Sequence, residues 1–402
     1  MENVTAAVRP DDQPLRARRR LLWLAAGIAC YAILLILQQY PWLTERAYAT
    51  TISPILTQAI SRIFGIVPLP LFEAVIAIVI GRLLVSGALA ARQVLRRTRH
   101  VANAAACGLL RLGQYAGVLI ALFYIIWGFN YVRPRLDARL GYPVTTTANA
   151  AELTGLVHQL VDAGNAAYVA LHGSADAGVP TTVPVDRQAL IAALDSGWRR
   201  ATTQLHLPAS SARTYGQPKY PLSSTFARHL GISAGMFFPY TGEALVVGDL
   251  PAPQLVKTMA HEQAHQRGTA VEGDANALAF FVCALAPDPL ARYAGISFAR
   301  DQMLTELASV DRAAFRAEWL RMGAGVQRDR QALRDYWRRT RVPSSELANR
   351  VNDASLRMNR VGEGVRSYAR STLIFIEFAR RNSGVVVPTA DAGGVSGGTG
   401  GQ

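Results

Sequence analysis

Residues 251–286 read PAPQLVKTMAHEQAHQRGTAVEGDANALAFFVCALA, and five of them can do chemistry: His261, Glu262, His265, Glu272 and Asp274. Side chains four residues apart on a helix project from the same side of successive turns, so the imidazoles of His261 and His265 can grip one ion. Glu262 is rotated only about 100° from His261 by the helical pitch. From there its carboxylate can reach a water on the ion without becoming a ligand. A zinc site of this kind needs a third protein ligand. Glu272 follows seven residues after His265 and opens the next helix, with Asp274 as the competing carboxylate. Two histidines and a glutamate, with a fourth position left to water, form the open set of a catalytic Zn2+ and not the closed set of a structural one. The expected chemistry is metal-assisted hydrolysis with Glu262 as general base, most often of a peptide bond.

Those residues must be positioned by helices. Pro251 and Pro253 suit a first turn, where a missing N–H is harmless, and Gly268 can take the left-handed conformation that ends a helix. Leu255, Val256, Met259, Ala260 and Ala264 supply the packing face between them. A second helix is predicted from Val271 to about Leu285, on which Asn276 lies one turn from Glu272 and is placed to orient it. Upstream, residues 149–172 and 186–205 carry apolar positions at helical spacing. A β-hairpin is predicted over Gly231–Gly248, turning at Pro239–Gly242. It precedes the metal helix as the substrate-aligning edge strand does in zincins. Helices dominate again from Pro253 to Arg381. Within the hairpin, Glu243 has three open roles: structural, support for the ligands, or contact with a substrate amine. Tyr293, Arg366 and Tyr368 are candidate donors to a transition-state oxyanion, each read more readily as packing or surface. His100, His158, His172, His206 and His229 show no ligand spacing and are read as ordinary. The arginine-rich stretch 328–341 reads as a solvated helix leaning on anionic headgroups.

Composition bounds the setting. Half of the 402 residues are hydrophobic and 17% are charged, a balance that points to membrane segments. Three apolar runs stand out: Leu21–Leu37, about Leu69–Ala91, and about Gly113–Tyr131, each long enough to span a bilayer as a helix. Tyr40 and Trp42 after the first run read as interfacial anchors rather than a signal-peptide cleavage site. The formal charge of +14 comes partly from arginines flanking these runs, namely Arg16, Arg18, Arg19, Arg20, Arg92, Arg96, Arg97 and Arg99. They are topology signals, and no nucleic-acid partner is expected. Positive loops stay inside, so three crossings place everything after Tyr131 outside the cytoplasm. The predicted organisation is a cytoplasmic basic tail (1–20), a three-helix membrane anchor (21–131), an extracytoplasmic, mostly helical domain (132–382) and a glycine-rich disordered tail (383–402). Cys30, Cys107 and Cys283 leave the extramembrane part without an internal disulfide, compatible with either compartment.

HEQAHQRG followed by EGDAN, with GISAGMFFPYTGEALVV upstream, resembles an uncharacterised family of bacterial membrane proteins, domain of unknown function 3810. WGFNYVRP (127–134), VNDASLRMN and GEGVRSY (351–368) extend the resemblance over most of the chain to about Arg381. Glu272 to Asn276 is also similar to the ExxAD segment of gluzincin membrane peptidases of the HtpX and CAAX-protease kind. That resemblance implies Glu272 as third zinc ligand, with Asn276 departing from the family's aspartate. Together these imply a mainly α fold: three transmembrane helices, then a zincin-like metallopeptidase domain with a short β-hairpin. The implied location is the bacterial inner membrane, with partners being the lipid bilayer and a peptide or protein of the cell envelope. A hydrolase of non-peptide envelope amides and a non-enzymatic scaffold with structural zinc are the alternatives.

Overall fold

The computed structural model describes residues 12–97, 100–142, 148–184, 187–340 and 370–389. The candidate donors Arg366 and Tyr368, the 351–368 motifs, most of the basic tail and most of the glycine-rich tail lie outside the described residues.

Three apolar helices are long enough to cross a membrane: α1 (Asp12–Leu37), α4 (Leu71–Leu95) and α5 (Val101–Ile126). Their most apolar stretches have mean hydropathies of 2.2, 2.2 and 1.8. α5 begins at Val101 and not near Gly113, and α4 runs past Ala91. Polar residues such as Asn103 and Arg111 dilute the apolar signal, yet the hydrogen-bonded ladder continues through them. α1 and α5 cross at backbone contact. A Cβ on Gly117 would lie 2.2 Å from the Trp23 carbonyl oxygen, and one on Gly27 would lie 2.8 Å from Gly117 Cα. Small residues at such a crossing let helices associate by packing where lipid removes the hydrophobic drive.

The segment between the first two apolar helices is mostly helical. It holds α2 (Pro41–Thr44), a π-helical turn at Glu45–Ala49 and α3 (Ile52–Gly65). After α5 a 3-10 turn (Gly128–Val132) leads to α6 (Leu136–Arg139), α7 (Ala150–His172), α8 (Gln188–Gln204) and α9 (Ser224–His229). Strands β1 (Gly235–Phe238) and β2 (Glu243–Val246) follow. Then come α10 (Ala252–Gln266), α11 (Glu272–Leu285), α12 (Pro289–Val310), α13 (Arg312–Arg321), α14 (Ala324–Thr340) and α15 (Ser371–Arg381).

The hairpin is antiparallel, with Gly235 opposite Val246 and Phe238 opposite Glu243. It is shorter than the predicted range, and Lys219 bridges in parallel to Leu245 on the outer side of β2. α10 is the central helix: from Leu255 to Gln266 every residue is buried. Leu255, Val256 and Met259 join Phe280 and Phe281 of α11, Met303 of α12, Leu160 of α7, Trp198 of α8 and Phe375 of α15 in one core. Truncating one of those phenylalanines to alanine costs about 3–5 kcal/mol. That packing fixes the helix carrying the histidines.

The same core includes Phe72, in the first turn of α4. Beside it the Glu243 carboxylate accepts from the backbone N–H groups of Leu71 (2.9 Å) and Phe72 (2.8 Å), from Lys219 Nζ (2.7 Å) and from the Thr241 hydroxyl (2.8 Å). A carboxylate on the free N–H groups of a helix start is favoured by both hydrogen bonding and the helix dipole. Of the three roles open to Glu243, the structure shows the structural one: it clamps the second apolar helix to the sheet.

Candidate metal centre

Local sequence shapes this site before tertiary packing does. Pro251 caps α10 and Pro253 sits in its first turn. Gly268 closes the helix with φ +80°, a conformation that costs glycine little. Four residues later α11 opens at Glu272. The turn therefore brings the first carboxylate of α11 against the last two turns of α10. His261 Nε2 and His265 Nε2 face each other at 3.1 Å. Glu272 Oε2 is 3.1 Å from the first and 3.6 Å from the second. Among the described residues these three form the group able to hold a metal ion, their ligand atoms all within 4.8 Å of one another. Asp274 does not join them. Its Oδ2 accepts from the Leu136 N–H at 2.7 Å, and burial raises its carboxyl against the pull of Arg139.

The surroundings orient the cluster. His265 Nδ1 lies 2.6 Å from the Thr269 carbonyl, so Nδ1 carries the proton and Nε2 is left to face His261. The Trp127 indole N–H donates to the His265 carbonyl at 2.8 Å. Asn276 does not orient Glu272 as the one-turn spacing predicts. Its Oδ1 instead accepts from Lys257 Nζ at 2.6 Å, because that side of α11 faces the turn of α10 preceding His261.

Glu262 is buried and crossed by β1: a Cβ on Gly235 would lie 2.5 Å from Glu262 Oε1. Its Oε2, like His261 Nδ1, has no hydrogen-bond partner on the described protein. A buried polar atom left unmatched is expensive, and such atoms concentrate where function requires them.

Charge and burial oppose each other throughout. Burial, opposed by His265 and Lys257 and aided by the Glu272 charge, pushes the Glu262 carboxyl up to about 8. Burial also lowers the Lys257 ammonium to about 8, although Glu272 and Glu262 hold it up. Burial, together with the Lys257 charge, lowers His261 to about 4. For His265 burial is outweighed by Glu272, Glu262 and the Thr269 carbonyl, which raise it to about 9. Glu272 resists burial because both imidazoles hold its carboxyl well below the usual range. Glu272 lowered and His265 raised together describe a carboxylate paired with an imidazolium proton, a proton that a cation can replace.

The cluster and Glu262 line a cleft of about 1060 Å³. Its walls are Trp127 and Tyr131 beyond α5, Ile232, Gly235 and Phe237 of the hairpin region, and Lys257 of α10. His229, read from sequence as ordinary, lines it too. Tyr293 does not: its buried hydroxyl donates to Asp329 at 2.8 Å, a packing role. His158 contacts Glu318 and His172 contacts Thr181, away from the cluster. Sequence reasoning missed Trp127, Tyr131, Gly235 and Lys257. Lys257 had a signal, lying one turn before His261 on the same helix. Trp127 and Gly235 stood inside motifs whose distance to the histidines only the fold reveals.

The chain is thus a mainly helical protein with three apolar helices able to cross a membrane and a buried His–His–Glu cluster on its central helix pair. It belongs to the family described as protein of unknown function (DUF3810), whose match covers residues 48–376. No curated protein and no solved structure matches it.

Proposed function

We propose that the protein is a membrane-anchored zinc hydrolase, a gluzincin-like peptidase, with His261, His265 and Glu272 as ligands and Glu262 as general base. One observation carries the reading: the three ligand atoms are spaced 3.1, 3.1 and 3.6 Å apart. Tetrahedral zinc with bonds of about 2.0–2.2 Å needs neighbouring donor atoms roughly 3.3 Å apart. The donor set fits as well, being a carboxylate and two imidazoles that are both neutral once a cation displaces their shared proton. When bound, zinc would polarise the substrate carbonyl and make water a nucleophile near neutral pH. Glu262 would take the proton from that water on its unpartnered oxygen and deliver it to the leaving amine. A carboxyl raised by burial holds and releases protons near neutrality. Gly235 lets β1 approach close enough to hold Glu262 in place, and the β1 edge offers main-chain groups to an extended peptide. A purely structural site would have no use for a general base beside its ligands.

The membrane setting belongs to the same proposal, with the arginine-rich ends on the cytoplasmic side of the bacterial inner membrane and the cleft on the other side. Arg133 Nε pairs with Glu45 at 2.7 Å, Asn130 donates to Ser53 Oγ, and Lys219 donates to the Leu69 carbonyl. The segment after α1 thus touches the chain after α5, as expected if both lie on one side. The test is metal analysis of the purified protein followed by Glu262→Gln, assayed on casein and on peptidoglycan. Zinc retained with casein cleavage lowered on the order of a hundredfold or more supports the peptidase. Absence of zinc, or activity unchanged in the variant, overturns it.

A further inference from the structure

α3 is amphipathic in the sense opposite to a helix of a soluble domain. Its inward face carries Ser53, Thr57 and Ser61, all buried. Its outward face carries Ile52, Ile55 and Ile63, exposed by 49, 59 and 63%, with Ile66 just beyond at 82%. A row of exposed isoleucines on a helix tethered between two apolar spans fits the apolar boundary of a bilayer.

A second line of contacts fixes the level at which that helix lies. Ser61 packs on the hairpin turn, where a Cβ on Gly242 would sit 2.9 Å from Ser61 N. In the same turn the Tyr240 hydroxyl donates to the carbonyl of Leu119, inside α5. Leu119 lies seven residues before the end of the span at Ile126, about 10 Å back along it at 1.5 Å per residue. The hairpin turn therefore stands beside the last turns of a membrane-crossing helix, with α3 at its side.

β1 leads from this turn to the cluster. It runs from Phe238 to Gly235, about 10 Å at strand spacing, and Gly235 lies against Glu262. Among the described residues no strand pairs with its other edge. Phe123, in the last turn of α5, lines the same cleft as His261. A chain laid along β1 has one part at Glu262 and another at the bilayer.

Resting on the hydrolase reading above, we infer that the cleft opens onto the membrane surface and that its substrate is a polypeptide tethered in the same bilayer, cut close to where it emerges. The isoleucine face of α3 holds the cleft mouth down against lipid. A freely diffusing peptide lacks the tether, and a site high above the membrane on a tethered protein lies out of reach.

The full-length protein in liposomes is given one unfolded casein segment carried on a transmembrane helix. The segment either follows the helix directly or stands behind a folded spacer domain of about 35–40 Å. Both substrates are tethered, so only height differs, and Glu262→Gln liposomes provide the blank. The low segment is expected to be cut at least about tenfold faster, within roughly ten residues of the helix end. Equal cutting of both, or faster cutting of the high one, overturns the inference and leaves the peptidase intact. Cutting of neither above the blank counts against the peptidase, and with it the substrate. A second measurement judges the membrane placement without catalysis. A fluorophore on Ile63→Cys is expected to be quenched by nitroxide lipids several-fold more than one on Leu320→Cys, an exposed position of α13. Equal quenching, whether from exposure to water or from cover by a second copy of the chain, sinks the placement.

Discussion

Two buried carboxylates sit at opposite ends of the β-hairpin, and their surroundings could hardly differ more. Glu243 has four hydrogen-bond donors, one of them the Lys219 ammonium, so its charge is fully answered. Glu262 has an oxygen with no protein partner and stands near two imidazoles whose nitrogens face each other. A fold gains from the first arrangement and loses by the second. A buried carboxylate oxygen left short of partners beside a set of candidate ligand atoms is free to meet a water or a substrate, whereas a satisfied carboxylate belongs to the frame.

That contrast can be broken in graded steps. Glu243→Gln leaves the Lys219 ammonium buried without its counter-charge and should cost about 3–5 kcal/mol. Denaturant unfolding reads the loss, and zinc content of the remaining folded protein should hold; normal stability would dissolve the contrast. Next comes Glu272→Gln, which removes one of three donors. Zinc affinity should drop on the order of a hundredfold or more while the fold survives, as titration with a competing chelator would reveal. A smaller effect is expected from Gly235→Ala, whose new methyl must push the Glu262 carboxylate aside. Turnover should fall roughly tenfold with zinc still bound, since a displacement of about 1 Å of a reacting group is already costly.

The smallest effect sharpens the electrostatics. Lys257 favours the charged form of Glu262, so Lys257→Met should raise the Glu262 carboxyl further. The base form would then exist only at higher pH, and the acidic limb of the kcat/KM profile should move upward by about one unit. A limb that stays in place or moves down would mean that the lysine charge is not felt at Glu262.

Much of this was readable in the chain itself, and the division follows distance along the sequence. The histidine spacing, the glycine stop and the carboxylate that opens the next helix are local: helical geometry pairs His261 with His265, and the short turn after Gly268 brings Glu272 to them. The three apolar helices were legible for the same reason, although hydropathy lost the first turns of α5 to Asn103 and Arg111. Long-range partners were not legible. Asn276 turned to Lys257 and away from Glu272 because the packing of α10 on α11, not the spacing, decides what an i+4 neighbour meets. Trp127 reaches the His265 carbonyl across 138 positions. α3 was hidden because serines and threonines alternate with its isoleucines and lower the average below that of a span.

The Trp127 hydrogen bond has a practical corollary. The indole belongs to the residue immediately after α5, and its neighbours Asn130 and Arg133 grip Ser53 and Glu45, from the segment between the first two spans. A truncated fragment beginning at residue 134, the obvious route to a water-soluble preparation, would discard one wall of the cleft and the brace behind His265. The chain around the apolar helices is thus part of the candidate site, and an inert excised fragment would say nothing against the proposed function.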